Sequence, residues 1–291
     1  MEEEQSMFKS ILIPVLSEFY PPAVFQISAR LVKIFHSTIT SIYITEKKTL
    51  DEVERLSDTH LSLLDEEEIT QEIRHEHLKQ AEHIIFEDAK AFFKKRDIEL
   101  QTKCVEEAFD EVIKHEIQQH HYDLVVIGYE KQSSIDYRLL DELDVSVWVE
   151  TGVESDVILA ICSNLASNKK VPLLSQQLSS SLAKKLQMIY VVDLSDPVQV
   201  DEKGKRSEKK LKDALVENGR QFIDEMQKKG VSAQLVIGTL EKEIMKASKK
   251  IKPMLVIIGR EQKVKKSLGF PIKNIKRKLV QHSKHSFLFL N

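Results

Sequence analysis

The chain has 291 residues, 42% hydrophobic and 31% charged, with a net charge of −3. That balance excludes a disordered chain, and no apolar run approaches the ~20 residues that a membrane-spanning helix needs. The length suits two domains of roughly 100–200 residues each.

The small net charge conceals two opposite halves. Residues 1–150 carry 16 Lys+Arg against 32 Asp+Glu, whereas residues 151–291 carry 27 against 14. Such a split can pair the two domains within one chain, favour head-to-tail pairing in a homodimer, or offer a basic face to a polyanionic or protein partner. The opening MEEEQSMFKS is acidic and polar. A secretory signal needs a basic start and an apolar core, so the expected location is the cytoplasm, with no membrane partner and no nucleic acid. Cys104 and Cys162 lie in separate apolar runs. Two small buried thiols are expected, not a disulfide framework or a zinc site.

In chain order, short apolar runs predict strands near 9–16, 39–45, 98–105, 122–128 and 145–150. After TGVES at 151–155, the joint between domains, strands recur near 156–162, 187–193, 231–237, 253–259 and 285–290. Pro21 and Pro22 suit the opening turn of the first helix. A long helix between the second and third strands is marked by Ala81, Ile84, Ile85, Phe92 and Phe93 in the first half, and by Leu211, Leu215, Phe222 and Met226 in the second, all at helical spacing.

The two halves repeat. SIYIT at 41–45 answers MIYVV at 188–192, Tyr43 standing for Tyr190, and DLVVIG at 123–128 answers MLVIIG at 254–259. The first half is longer by roughly 16 residues between its second and third strands. This acidic insertion, near 46–70, includes LSDTHLSLLDEEEITQE and reads as a loop with a short helix. Strands apolar throughout, alternating with amphipathic helices, predict an α/β fold: two tandem doubly wound domains, 1–150 and 151–291. Each should have a five-stranded, mainly parallel sheet with flanking helices.

ILIPVLSE at the start, HYDLVVIG and IKPMLVIIG at the fourth strands and VQHSKHSFLFL at the end resemble the universal stress protein family in its tandem two-domain form. The resemblance covers nearly the whole chain. It implies a nucleotide site, for ATP or AMP, built from an aspartate ending the first strand and a Gly-x2-Gly-x9-Gly-Ser/Thr loop after the fourth. It also implies that the last strands, VSVWVE and SFLFLN, pair antiparallel and join the sheets. The glycines let backbone N–H groups curl around phosphate without obstruction.

Here the aspartate position falls on Leu16 in the first half and on Cys162 or Ser163 in the second. The second glycine is replaced by Lys131 and by Gln262. Degenerate sites and a non-enzymatic stress-response or interaction protein are therefore expected, with no cofactor. The alternative is a phosphate-ligand module in the second domain. It would use Gly259, Lys263, Gly269, Lys273 and Asn274, with Asn274 capping the final helix and the basic run Lys263 to Lys278 supplying charge. Against it stands a solvated basic face, with Gly269 a turn glycine in SLGFP. His75 and His77, and His115, His120 and His121, lack the spacing of a metal site. No Ser-His-Asp order, nucleophile elbow or Walker sequence marks a catalytic residue.

Overall fold

The computed structural model describes residues 7–16, 22–45, 86–129, 139–202, 205–259 and 275–291. The acidic insertion near 46–70 lies outside them. The chain divides into two compact units: the described residues through Gly128 belong to the first, and those from Leu139 to Asn291 to the second, together with Tyr129.

In the first unit the order is β1 (Ser10–Leu16), α1 (Pro22–Phe35), β2 (Thr38–Thr45), α2 (86–94), β3 (Leu100–Glu106), α3 (Phe109–Gln119) and β4 (Leu124–Gly128). The strands lie β3-β2-β1-β4, and every neighbouring pair is parallel. All residues from Ile11 to Leu16 are buried, which is why this run is apolar without alternation. Pro22 opens α1, where its missing N–H would have no helical acceptor in any case. Phe25 of α1 meets Phe93 of α2 edge-on, with ring centroids 5.6 Å apart. The Asp123 carboxylate accepts the backbone N–H groups of Lys9 and Ser10, tying the entrance of β4 to that of β1.

The second unit holds α4 (Leu139–Glu142), β5 (Ser146–Glu150), β6 (Val157–Ser163), α5 (Lys170–Ser181), β7 (Lys185–Val192), α6 (Lys212–Lys228), β8 (Ser232–Ile237), α7 (Leu240–Ile251), β9 (Leu255–Gly259), α8 (Ile275–His282) and β10 (Ser286–Leu290). The strands lie β5-β10-β9-β6-β7-β8. All neighbours are parallel except β5 and β10, which pair antiparallel with Leu288 opposite Trp148.

The internal repeat extends to hydrogen-bond register. Val15 faces Tyr43 as Cys162 faces Tyr190, and Ile11 faces Leu124 as Ile158 faces Leu255. One element departs from the repeat. β5 is the fifth strand of the first half by sequence, yet by contact it belongs to the second unit, where it pairs antiparallel with β10. At its end the buried Glu150 carboxylate accepts hydrogen bonds from Trp148 Nε1 at 2.8 Å, Gly152 N at 2.7 Å and Ser286 Oγ at 3.0 Å. Burial pushes this carboxyl above its ordinary range, and the three donors oppose that shift.

Two expectations about burial need correction. Cys162 is buried, with its thiol pushed up by desolvation, but Cys104 is exposed. It sits on β3, the last strand of its unit's described sheet, where most residues are only partly covered. Leu211 does not belong to the buried stripe of α6: it precedes the helix and is 83% exposed, while Leu215 and Met226 are buried.

Candidate functional site

In a doubly wound sheet, ligands bind outside the carboxyl ends of the strands, where the strand order reverses. In the second unit that point lies between β6 and β9. The turn after β6 leaves the sheet here, while residues 260–274, which follow β9, lie outside the described residues.

The turn after β6 is held tightly against the strand end. Ser163, the last residue of β6, occupies the position where the resemblance calls for an acid, and only 1% of it is exposed. Asn168 folds back on it: its side-chain oxygen accepts from Ser163 N at 3.0 Å, and its amide donates to Ser163 O at 2.9 Å. Asn164 is fully buried. Its oxygen accepts from Asp193 N at 2.7 Å, while its amide donates to Val198 O at 2.7 Å and Asp193 O at 3.2 Å. The Asn164 carbonyl in turn accepts from Val200 N at 2.8 Å. The segment after β7 is thus drawn across the end of β6, and Val198 and Val200 are buried there.

Asp193, directly after β7, is a buried carboxylate, but it too is engaged internally. One oxygen accepts from Leu240 N at 2.7 Å, at the start of α7, where the helix dipole favours negative charge. The other accepts the backbone N–H and the hydroxyl of Ser195.

Gly259 closes β9 and has a packing reason to be glycine. A Cβ there would lie 2.9 Å from the Ser167 carbonyl oxygen and 3.3 Å from Val171 Cγ2. The β6–α5 turn therefore packs directly against Gly259. Gly259→Ala should cost about 1–3 kcal/mol by overpacking, read as a lower urea midpoint. An unchanged midpoint would mean that the turn yields and the approach is loose.

Of the other residues proposed for a phosphate ligand, Lys263, Gly269, Lys273 and Asn274 lie outside the described residues. α8 begins at Ile275. Two lysines of the basic run are described, and both turn to the protein itself. Lys276 Nζ donates to Leu140 O at 3.0 Å and lies 5.7 Å from the centre of the Phe289 ring, and Lys278 Nζ is 3.6 Å from Glu241 Oε2. Of the histidines, His75 and His77 are outside the described residues. His120 Nε2 is 3.1 Å from Lys103 Nζ, and that lysine is paired with the buried Glu116 at 3.0 Å. This is a charge network across β3 and α3. Among the described residues no group of three or more His, Cys, Asp or Glu is placed to hold a metal ion. Nor is any described helix long and apolar enough to cross a membrane.

Sequence reasoning missed Asn164, Asn168 and Asp193. The signal available was SNLASN directly after β6, since asparagine readily bonds nearby backbone in tight turns.

Comparison with solved structures matches this fold along the whole chain. A protein of Pseudomonas aeruginosa UCBPP-PA14, described as a universal stress protein, superposes with a TM-score of 0.66 at 11% identity, covering 98% of this chain and 94% of that one. A universal stress protein from Archaeoglobus fulgidus DSM 4304 gives 0.59 at 12% identity over 99% of each chain. A functionally unknown protein from Pseudomonas aeruginosa PAO1 gives 0.61 at 13% identity, over 98% of this chain and 93% of that one. At such identities the likeness is one of fold. No curated protein matches the sequence. Residues 7–147 match the universal stress protein family, which places that stretch of the chain in the family.

Proposed function

We propose that the chain is a tandem universal stress protein, with domains 1–150 and 151–291, whose nucleotide sites are degenerate and which acts in the cytoplasm as a non-enzymatic stress-response or interaction protein. One observation carries this reading. At the carboxyl ends of β6 and β9 the chain packs on itself, Asn164 holding the segment after β7 and the Ser167 carbonyl lying against Gly259. A ligand would have to displace several buried hydrogen bonds to enter, at roughly 1–3 kcal/mol for each group left unpaired. Lys276 and Lys278, engaged within the protein, argue in the same direction for the basic run. The interaction role follows from the opposite charge of the two halves, which suits a protein partner or a second copy of the chain.

Thermal unfolding with sub-millimolar ATP or AMP tests this. A ligand at a hundred times its dissociation constant stabilises by about 2.7 kcal/mol, so a competent site would raise Tm visibly, whereas no shift is expected. Native mass spectrometry should likewise find no co-purified nucleotide. A Tm increase abolished by Lys263→Ala with Lys273→Ala would establish the phosphate-ligand alternative in its place.

A further inference from the structure

The first half of the chain has twice as many acidic as basic residues, yet three cations converge on one hollow in it. The hollow, of about 210 Å³, lies along the flank of α1 and is lined by Gln26, Ala29, Arg30 and Lys33, with Arg96 entering from beyond α2. The four α1 residues share one helix face by their spacing. No acid lines this hollow, and none of its three cations makes a salt bridge among the described residues. Unpaired like charges gathered in a concavity repel one another unless an anion joins them.

Arg96 is also held in place before any ligand arrives. Its guanidinium lies 3.6 Å from the centre of the Phe92 ring, and Nη1 donates to Phe92 O at 2.8 Å. Phe92 is in turn set by Phe25 and Phe93, at centroid distances of 6.3 and 5.2 Å. One of the five guanidinium donors is used, so a fork of N–H groups remains for paired oxygens, with little entropy left to lose.

A second hollow, of about 380 Å³, adjoins the first and shares Lys33 and Arg96 with it. Its wall at the amino ends of β2 and β3 includes Ser37, Thr38, Asp97, Glu99 and Gln101. These are hydrogen-bonding groups suited to hydroxyls. The hollows therefore sit at the amino ends of the first unit's strands, opposite to the carboxyl ends where ligands of doubly wound sheets bind.

We propose that this pair of hollows on the first unit binds a phosphate monoester of a small polyhydroxy compound, with the phosphate against Arg30, Lys33 and Arg96 and the hydroxyls against the wall beyond. Phosphate is favoured over carboxylate because it brings a charge of about −1.5 to −2, which better matches three cations. Arg96 contributes paired donors, and Arg30 and Lys33 contribute charge.

Isothermal titration of the full chain at constant ionic strength, with inorganic phosphate, glucose 6-phosphate and glucose, tests the proposal. Saturable binding is expected for glucose 6-phosphate, weaker binding for phosphate and none for glucose. Lys33→Gln, at an exposed site, should weaken binding about tenfold, as expected for losing one charge-assisted contact. Arg96→Lys, which keeps the charge but loses the fork, should weaken it too, and Arg30→Gln replaces that variant if it does not fold. Absence of saturable binding would overturn the site, as would binding that survives these substitutions or disappears in Lys263→Ala with Lys273→Ala. A nucleotide-induced Tm shift that persists in Lys33→Gln would count against the degenerate-site reading instead, so the two proposals fail separately.

Discussion

Removing Phe287 to Asn291 should leave the second unit unable to fold. These residues carry β10, which stands between β5 and β9, hydrogen-bonded on both sides. Phe287, Leu288, Phe289 and Leu290 are all buried. At about 1.5–3 kcal/mol for each buried side chain, their loss removes roughly 6–12 kcal/mol. A domain's whole stability is about 5–15 kcal/mol. The deletion would also strip β5 of its antiparallel partner β10 and present an apolar strand edge to other chains, so aggregation is expected. Trp148, the one tryptophan in the sequence, reports on β5 directly, since it is fully buried and bonded to Glu150. Its fluorescence should shift to that of a solvent-exposed indole. The milder Phe287→Ala should cost about 3–5 kcal/mol while keeping the strand. A truncated chain that stayed monomeric, with buried tryptophan emission and unchanged hydrogen-exchange protection over 146–150, would contradict the central place of β10.

Asn164→Ala should be the most damaging single polar substitution at the carboxyl end of the second sheet. The amide serves Asp193 N, Asp193 O and Val198 O at once in a fully buried position. Alanine would orphan all three groups, each costing about 1–3 kcal/mol if left dry. Water entering the space would recover part of this, so a net loss near 3 kcal/mol is expected. Urea unfolding measures the loss, and hydrogen exchange should show 193–200 losing protection before the rest of the unit. If the midpoint falls by less than a single hydrogen bond's worth, about 1 kcal/mol, then Asn164 does not hold the segment in place. The proposal of a degenerate nucleotide site would then lose its main support.

Much of this architecture was legible in the chain because strands and amphipathic helices announce themselves locally. DLVVIG and MLVIIG are apolar throughout since both sheet faces are covered, and the structure places them in β4 and β9. The match of Tyr43 with Tyr190 anticipated an identical strand register, because an inserted or deleted residue would have turned every following side chain to the wrong face. The antiparallel meeting of VSVWVE and SFLFLN was likewise foreseen, though through the family resemblance and not through the pattern of side chains.

What the sequence alone determined is therefore the alternation of elements, the repeat, the absence of the family's acid at Leu16 and at Cys162 or Ser163, and the opposed charge of the halves. Each depends on residues close together in the chain or on simple counts. The tertiary structure alone decided that β5 joins the second unit, that Cys104 is exposed, that Gly259 faces the Ser167 carbonyl, and that Lys276 turns to the Leu140 carbonyl. It also decided that Asn164 reaches backbone about thirty residues away and that Arg96 comes to lie beside Lys33. Periodicity reports which face of an element is buried but not which neighbour covers it. Contacts between distant segments are set by loop closure and packing, to which a local pattern carries no address.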